Sequence, residues 1–326
     1  MKAQFILGLV LSFSLNTQAA IPNTTPDHKP KADIQKELRQ DIVVAVIDTG
    51  ADINHKDLKD YIWINEGESG LDRLGRNKAT NGLDDDGNGF VDDVHGWNFV
   101  KNNNDVSDQE GHGTHISGII QQEFEKQRTS STSPQSVRLM ILKYYDANAE
   151  DEQNVMNTVK AIEYATKMNA RIINYSGGGE SPFSLEFKAL QQANQQGILL
   201  VAAAGNNNSN TDLRRFYPAN YPLQNIISVA ATDKDGELVS FSNYGSNSID
   251  IAAIGQQVLS TLPNNKYGRM SGTSQATAYV TGVSAALLTR SRRPAHVPNL
   301  LKELLAMSTY KKSLKGKTKF QMAMIQ

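Results

Sequence analysis

The chain alternates short, uninterrupted apolar runs with helical patterns, and this alternation points to one class of fold. The run Ile42–Ile47 is rich in β-branched residues and too short for a helix, which is typical of a strand buried on both faces. Four further runs have the same character: Val137–Lys143, Arg171–Tyr175, Ile198–Ala203 and Ile226–Ala230. Helical patterns lie between the middle runs, at Asn154–Asn169 and Ser184–Gln196. We therefore predict an α/β fold with a mainly parallel central sheet and helices on both faces.

Composition narrows the class of protein further. The 326 residues are 39% hydrophobic, which is enough to bury a core, and no polar stretch resembles a long interdomain linker. We therefore expect a single domain. The absence of Cys excludes a disulfide scaffold, a thiolate zinc site and a cysteine nucleophile. The net charge of −1 gives no indication of a nucleic acid or an anionic membrane as partner.

The first residues have the pattern of a secretory signal peptide. Basic Lys2 precedes the apolar run Phe5–Phe13, and the small residues Ala19 and Ala20 suit signal peptidase. We predict a signal peptide over residues 1–19, a short lead segment over 20–40 and one domain over 41–326. The protein is then secreted or periplasmic, with no membrane contact after cleavage. The alternative is an uncleaved anchor or a buried helix, although the run is short for a membrane span.

Candidate catalytic residues follow the first predicted strand. Asp48 ends that strand, and the segment Gly111–Gly118 sets His112 among small residues. Active sites of open parallel sheets lie at the carboxyl ends of the strands, which makes Asp48 a catalytic candidate. Small neighbours would let other segments approach the imidazole of His112. Two alternatives stay open, namely Asp48 as a turn or cap residue and His112 with His115 as a zinc pair.

Two further candidates lie in the second half of the chain. Ser274 stands in the small-residue segment Met270–Ala278, at the start of the predicted helix Ala276–Leu288. Free backbone N–H groups and the helix dipole favour negative charge that develops at such a position. Asn206 directly follows a predicted buried strand and could aim its amide into the same cleft. The alternatives are a simple N-cap serine and an Asn-rich turn.

Together these motifs resemble those of the subtilisin-like serine peptidases, the subtilases, in sequence and in order along the chain. The resemblance rests on Val46–Gly50, Gly111–His115 and Gly272–Ala276, covers about residues 41–288 and weakens after about residue 290. It implies a subtilisin-like fold and a serine endopeptidase, a hydrolase whose substrates are polypeptides. It implies no organic cofactor, and we expect a monomer.

The resemblance assigns a role to each candidate. Ser274 is the expected nucleophile that forms an acyl-enzyme, His112 the general base, and Asp48 the residue that orients and stabilises the imidazole. Asn206 and the backbone N–H of Ser274 are the expected oxyanion hole. A secreted esterase is a weaker alternative, because Ser274 lacks the Gly-x-Ser-x-Gly motif and comes last in the chain.

The segment Asn174–Gly178 resembles the subtilase strand that binds an extended peptide, so Ser176, Gly177 and Gly178 are expected to line the substrate cleft. Subtilases usually carry an apolar side chain after the Ser of this segment. Gly177 is therefore expected to leave one wall of the pocket bare and the pocket wide. The alternative is a flexible turn.

The segment 81–93 is rich in Asp and Asn, and the catalytic motifs do not explain it. Asp84, Asp86 and Asn88 have the spacing of the oxygen ligands in a calcium loop, and Asp92 lies close behind them. Acidic groups this dense repel one another in the absence of a cation. The sequence thus predicts a structural calcium ion, with a solvated acidic turn as the alternative.

Three departures from the subtilase pattern affect the predicted function. Only about 28 residues separate the cleavage site from Asp48, too few for the usual inhibitory propeptide. Either the domain folds without one, with the help of calcium, or a separate protein inhibitor restrains the enzyme. The family commonly has Met-Ala-Ser-Pro after the nucleophile, whereas Ser274 is followed by Gln275, Ala276, Thr277 and Ala278, so that the usual Pro is lost. A catalytically weak or inactive peptide-binding protein of the same fold therefore remains an alternative. The basic stretch Tyr310–Lys319 is expected to be loosely ordered.

Overall fold

The computed structural model describes residues 41–128, 135–290 and 297–324, so the predicted signal peptide over 1–19 and lead segment over 20–40 lie outside the described residues. Within these ranges the helices are α1 (His112–Gln127), α2 (Asp151–Lys167), α3 (Ser184–Gln195), α4 (Thr273–Arg290) and α5 (Val297–Ala306). The strands are β1 (Ile42–Asp48), β2 (Gly96–Asn98), β3 (Val137–Lys143), β4 (Ile172–Tyr175), β5 (Leu199–Ala203), β6 (Ile226–Thr232), β7 (Ile251–Ile254), β8 (Val258–Leu262), β9 (Lys266–Met270), β10 (Thr309–Tyr310) and β11 (Met322–Met324). None of these helices combines the length and apolar character that a membrane crossing needs.

Nine of these strands form one sheet in the order β10-β11-β7-β6-β5-β4-β1-β3-β2. Its strand pairs are parallel, except for the antiparallel pair of β10 and β11. β1 lies between β3 and β4, and Val46 is opposite both Ile141 and Asn174. β8 and β9 form a separate antiparallel hairpin.

The apolar runs are continuous because helices cover both faces of the sheet. Val44 and Val46 of β1 belong to one core cluster, which α1 and α4 complete. Ala45 and Ile47 point to the other face and join a second cluster with α2 and α3. Successive residues of a strand point to opposite faces, so a strand covered on both sides is apolar throughout. The predicted α/β fold is confirmed.

The carboxyl edge of the sheet gathers the polar segments of interest. Asp48 is the last residue of β1, Ser176 directly follows β4, and Asn206 follows β5 by three residues. Because neighbouring parallel strands end at the same edge, these three residues are brought together although they are far apart in sequence. Helices α1 and α4 begin with His112 and Thr273 at this edge.

The segment after residue 290 joins the fold more fully than the sequence suggested. β11 pairs in parallel with β7, with Ala323 opposite Ala252, and extends the main sheet. Leu314 is fully buried and packs with these two alanines in a small apolar cluster. The expectation of loose order over Tyr310–Lys319 was therefore wrong, because a few apolar residues dock a mostly basic stretch.

Candidate active site

Asp48 and His112 form a hydrogen-bonded pair at the carboxyl edge of the sheet. His112 Nδ1 lies 2.7 Å from Asp48 Oδ1, and the Asp48 side chain is only 3% exposed. Helix α1 can start this close to β1 because Gly113 has no side chain. A Cβ atom at position 113 would lie 2.0 Å from the carbonyl oxygen of Gly50 and 3.1 Å from Asp48 Oδ1. The small residues around His112 therefore permit the close approach that the sequence predicted.

Asp108 holds this pair in place, and sequence reasoning missed it. Its Oδ1 accepts hydrogen bonds from Gly111 N at 2.8 Å and Thr49 Oγ1 at 3.0 Å. Its Oδ2 accepts from Thr114 N at 2.9 Å and Thr114 Oγ1 at 2.6 Å. Asp108 thus caps the N-terminus of α1 and ties it to the residue after Asp48. Its position four residues before His112 at a helix start was the available signal.

The pKa of His112 is raised by the carboxylates around it. Burial lowers this pKa, but the charge of Asp48 and its hydrogen bond, followed by the charges of Asp108 and Glu110, outweigh burial. The three carboxylates stabilise the imidazolium form. They therefore favour a histidine that accepts a proton during a reaction and is stabilised once it is charged.

Ser274 is the second residue of α4 and lies beside the segment that follows β4. Its Oγ donates a hydrogen bond to the carbonyl oxygen of Ser176 at 3.0 Å. In the part of the chain that the structure describes, no hydrogen bond joins Ser274 Oγ to His112. The hydroxyl therefore has to rotate away from the Ser176 carbonyl before the imidazole can take its proton.

Asn206 and the start of α4 present two N–H donors to the same space. Asn206 Oδ1 accepts from Thr273 N at 2.9 Å and Thr273 Oγ1 at 3.0 Å, which fixes the orientation of the amide. A Cβ atom at Gly272 would lie 3.6 Å from Asn206 Nδ2 and 3.7 Å from Ser274 N. Gln275 Oε1 lies closer to that position, at 2.9 Å, so the two nitrogens and this amide oxygen border the same space. Thr273 is thus a positioning residue that the motif contained but the sequence analysis did not single out.

This arrangement agrees with the comparison to known proteins. A family model described as the subtilase family matches residues 39–322, which is most of the chain. The chain belongs to the subtilase family. The match extends well beyond residue 290, where the sequence resemblance appeared to weaken, and it includes the strand β10 and the first residue of β11.

Several relatives and one solved structure resemble this subtilase. A "Thermophilic serine proteinase" of Bacillus sp. (strain AK1) is 33% identical over 260 residues, which cover 80% of the chain and 55% of the relative. A "Thermostable alkaline protease" of Halalkalibacterium halodurans is 37% identical over 208 residues, covering 64% and 55%. The chain therefore spans about half the length of these two relatives. The crystal structure of a cold adapted subtilisin-like serine proteinase has a TM-score of 0.63 at 24% identity, over 88% of the chain and 89% of that structure, and supports the fold alone.

Three adjoining cavities form a cleft next to the catalytic candidates. The first, of about 450 Å3, is lined by Ser176, Gly177 and Gly178, the residues predicted for substrate binding, together with Asn206 and Asn207. The second, of about 280 Å3, adjoins the Asp48–His112 pair and shares Ser176. The third, of about 330 Å3, shares Gly178 with the first. The predicted substrate-binding residues therefore lie where the three cavities meet.

The wall at Gly177 is not bare in this subtilase. A Cβ atom at position 177 would lie 2.2 Å from Tyr144 Oη and 3.0 Å from Tyr175 Cε2. The Tyr144 ring therefore occupies the space that a side chain after Ser176 would take. The expectation of a bare wall was wrong, because Tyr144, which directly follows β3, replaces the missing side chain.

His115 has a structural environment that does not suit the alternative zinc pair. It is fully buried, and its Nε2 donates to the carbonyl oxygens of Val258 at 3.1 Å and Gly268 at 3.2 Å. Burial is the main cause that lowers its pKa and keeps it neutral. His112 Nδ1 is hydrogen-bonded to Asp48, whereas His115 Nε2 donates to two carbonyl groups. These nitrogens are therefore engaged in separate hydrogen bonds and do not form a zinc pair.

The acidic segment 81–93 folds into a loop in which the predicted ligands have different environments. Asp84 accepts backbone hydrogen bonds from Gly87, Asn88 and Gly89 at 2.7 to 3.0 Å. Asp92 accepts from Gly82 N at 3.2 Å. These carboxylates organise the loop itself.

Asp86 instead converges with two carboxylates that the sequence analysis did not select. Oxygen atoms of Asp86, Glu68 and Asp93 lie within 4.8 Å of one another. Asn88 donates its amide to Asp93 Oδ2 at 2.8 Å and to Asp86 Oδ2 at 3.2 Å. Glu68 is fully buried, and its Oε2 has no hydrogen-bond partner among the described residues. No local motif reveals Glu68, because it lies 18 residues before Asp86.

Proposed function

We propose that this chain is an exported serine endopeptidase that hydrolyses peptide bonds through an Asp48–His112–Ser274 triad and an acyl-enzyme. The observation that carries the proposal is the Asp48–His112 hydrogen bond of 2.7 Å, at the edge where α4 begins and holds Ser274 as its second residue. Family membership and the protease relatives support the same reaction class. A serine hydroxyl is a weak nucleophile at neutral pH and needs an adjacent base, which this arrangement can supply.

Each group has a definite task in the proposed reaction. Ser274 Oγ attacks the carbonyl carbon of the scissile bond while its proton passes to His112 Nε2. Asp48 accepts the Nδ1 hydrogen bond, which keeps Nε2 free to receive that proton. Negative charge that develops on the carbonyl oxygen is stabilised by Ser274 N and Asn206 Nδ2. His112 then donates the proton to the leaving amine, and water releases the acyl group.

The position of the Ser274 hydroxyl fits a resting state. It donates to the Ser176 carbonyl at 3.0 Å, and catalytic hydrogen bonds commonly tighten only when substrate is bound. An extended peptide that pairs with the Ser176–Gly178 segment would compete for that carbonyl oxygen. Substrate binding would then release the hydroxyl toward His112.

Labelling with a fluorophosphonate probe tests the proposal, because the probe reacts with serine only when a base activates it. We expect one label on the wild-type protein, located on Ser274 by mass spectrometry. Ser274→Ala is the matched control and should take no label. A folded, calcium-supplied wild-type protein that stays unlabelled would refute the peptidase.

The alternative of a peptide-binding protein with little activity has two observations in its favour. Ser274 donates to Ser176 rather than to His112, and Gln275 alters the residue after the nucleophile. In that case the protein would bind peptides without hydrolysing them and would not be labelled. The same experiment therefore separates the two functions.

The proposal also covers how the enzyme is exported, how its activity is inhibited and whether it acts as a monomer. The pattern of Lys2 and Phe5–Phe13 supports a signal peptide and a secreted or periplasmic enzyme. We further propose that a separate protein inhibitor restrains the enzyme and that it acts as a monomer. N-terminal sequencing of the exported protein would identify the cleavage site and any later trimming.

We also propose a structural calcium ion at Asp86, with Glu68 and Asp93 as further ligands. Calcium prefers several carboxylate and carbonyl oxygens, and each of these three residues brings a carboxylate oxygen within 4.8 Å of the others. Glu68 Oε2 in addition has no hydrogen-bond partner among the described residues. A buried carboxylate oxygen without a partner destabilises the fold, and a cation would remove that cost. Asp84, Asn88 and Asp92, the other predicted ligands, shape the loop around it.

Removal of calcium is expected to lower the melting temperature. At calcium concentrations about 100-fold above Kd, binding contributes about 2.7 kcal/mol. For a chain of this size that corresponds to a loss of roughly 5 °C when a chelator is added. Differential scanning calorimetry with and without chelator measures this shift.

Paired variants identify the ligand. Glu68→Gln should abolish the calcium-dependent shift while keeping the Oε1 acceptor for Asp85 N and Asp86 N. Without calcium it should melt no lower than the wild type, because it removes a repelling charge. Glu66→Gln, an exposed neighbour in the same turn, should retain the shift. A full shift in Glu68→Gln would exclude this site.

A further inference from the structure

The three cavities adjoin one another around the catalytic candidates and share lining residues. Ser176 lines both the first and the second cavity, and Tyr144 and Tyr145 line both the second and the third. Gly178 and Glu180 connect the third cavity back to the first. A substrate segment in this cleft would contact all three cavities in succession.

The charged residues along this cleft are almost all acidic. Glu110 lines the second cavity beside the Asp48–His112 pair, Glu180 borders the first and third, and Asp151 and Glu186 line the third. Apart from His112, these cavities have no cationic lining residue within the described ranges. The whole chain has 33 Lys and Arg against 34 Asp and Glu, so the bias is local to the cleft.

The acidic groups differ in how they can act. Glu110, Asp151 and Glu180 are exposed and can approach a ligand directly. Glu186 is buried, and burial raises its pKa to about 7, against the lowering effect of its hydrogen bond with Tyr221. The three exposed carboxylates are therefore the ones that a bound segment can reach.

Aromatic rings accompany the carboxylates in the third cavity. Tyr144 and Tyr175 pack edge to face with centroids 5.6 Å apart, and Tyr145 is 5.9 Å from Tyr144. Tyr145 is 36% exposed and faces solvent. Aromatic faces and carboxylates together form an environment that attracts ammonium and guanidinium groups and also packs against their apolar stems.

We propose that the cleft selects cationic polypeptide segments, with Lys or Arg near the scissile bond and at least one of these side chains in the third cavity. This inference builds on the proposed peptidase, because it takes the three cavities as the substrate cleft. Clefts lined by charge of one sign concentrate the field and raise the local concentration of oppositely charged ligands. A Glu side chain at the same position would be repelled by Asp151 and Glu180.

Peptides that differ at one position test the selection. Quenched fluorescent peptides carry Lys, Ala or Glu at each position around one cleavable bond in turn. We expect kcat/KM to be roughly three- to tenfold higher for Lys than for Glu at one or more positions. The preference should shrink as ionic strength rises, because exposed charges are screened.

Variants connect the preference to the third cavity. The double variant Asp151→Asn and Glu180→Gln should lose most of the Lys-over-Glu ratio. The control Glu152→Gln removes an exposed charge from the same turn of α2 that does not line the cavity, and should keep the ratio. A wild type without preference at any position, or a double variant with the full ratio, would overturn the inference.

A binding measurement separates this inference from the peptidase itself. Ser274→Ala protein cannot form an acyl-enzyme, so fluorescence anisotropy with the same peptides reports binding alone. Tighter binding of Lys than of Glu peptides supports the inference even if the wild type hydrolyses nothing, an outcome that refutes only the peptidase. Equal binding of both peptides counts against the cationic selection whether or not hydrolysis occurs.

Discussion

Ser274→Ala is expected to lower kcat by about 10⁶, the order of loss that follows removal of the nucleophile in a triad that acts as a unit. Ser274 Oγ is the atom that forms the acyl bond in the proposed reaction, and alanine offers no substitute. The start of α4 keeps its backbone N–H, so Ser274 N and Asn206 Nδ2, the proposed oxyanion donors, remain. A residual acceleration of roughly 10³ to 10⁴ over water is therefore expected. Steady-state hydrolysis of a peptide substrate measures both quantities.

The double variant Ser274→Ala with His112→Ala tests whether the two residues act together in one reaction step. Without the hydroxyl, the imidazole has no proton to accept, so the second substitution should cost little more. If the melting temperature of each variant equals that of the wild type, its loss of activity comes from the missing catalytic group and not from unfolding. If the double variant lost as much activation free energy as the two single variants combined, the residues would act independently and the triad would be contradicted.

The sequence predicted the part of the fold that is buried on both faces. β3 has the bounds expected from its apolar run, and β1, β4, β5 and β6 differ from the expected ends by one or two residues. The short or exposed strands carried no comparable pattern. β9 is Lys-Tyr-Gly-Arg-Met, largely exposed, and exists because it pairs with β8. Such pairing depends on distant segments, which periodicity does not reveal.

The residues of the candidate site likewise fall into those that a local motif reveals and those that only distant contacts reveal. Asp48, His112, Asn206 and Ser274 lie in compact local motifs, so the order of those motifs was enough to select them. Residues that act through other residues were missed. Asp108 is recognisable only when Thr49 and Thr114 are seen to donate to it, and Glu68 only when the loop folds over it. Tyr144, the residue after β3, fills the wall at Gly177 that the local sequence suggested was bare.

Asp48→Asn is expected to lower kcat by roughly 10⁴, because the amide can hold His112 in the wrong tautomer and no longer stabilises its cation. The variant should also change the pH dependence of kcat/KM. Asp48 is the main cause that raises the pKa of His112 against the lowering effect of burial. The proposed base must be neutral, so the acid limb of the wild-type profile should lie above the ordinary histidine value of about 6.5. Loss of the Asp48 charge should move that limb to lower pH.

Glu110→Gln removes a carboxylate charge near His112 without changing the tautomer of its ring. It therefore separates the effect of charge on the pKa of His112 from the effect of the tautomer on kcat. Glu110 also raises the pKa of His112, to a smaller extent than Asp48, and makes no hydrogen bond to the ring among the described residues. Its replacement should move the acid limb in the same direction by a smaller amount, with a far smaller loss of kcat than Asp48→Asn. Profiles of kcat/KM against pH for the three proteins test this order. An acid limb that stays in place in Asp48→Asn would mean that His112 is not the group that titrates, and the proposed base would have to be another residue.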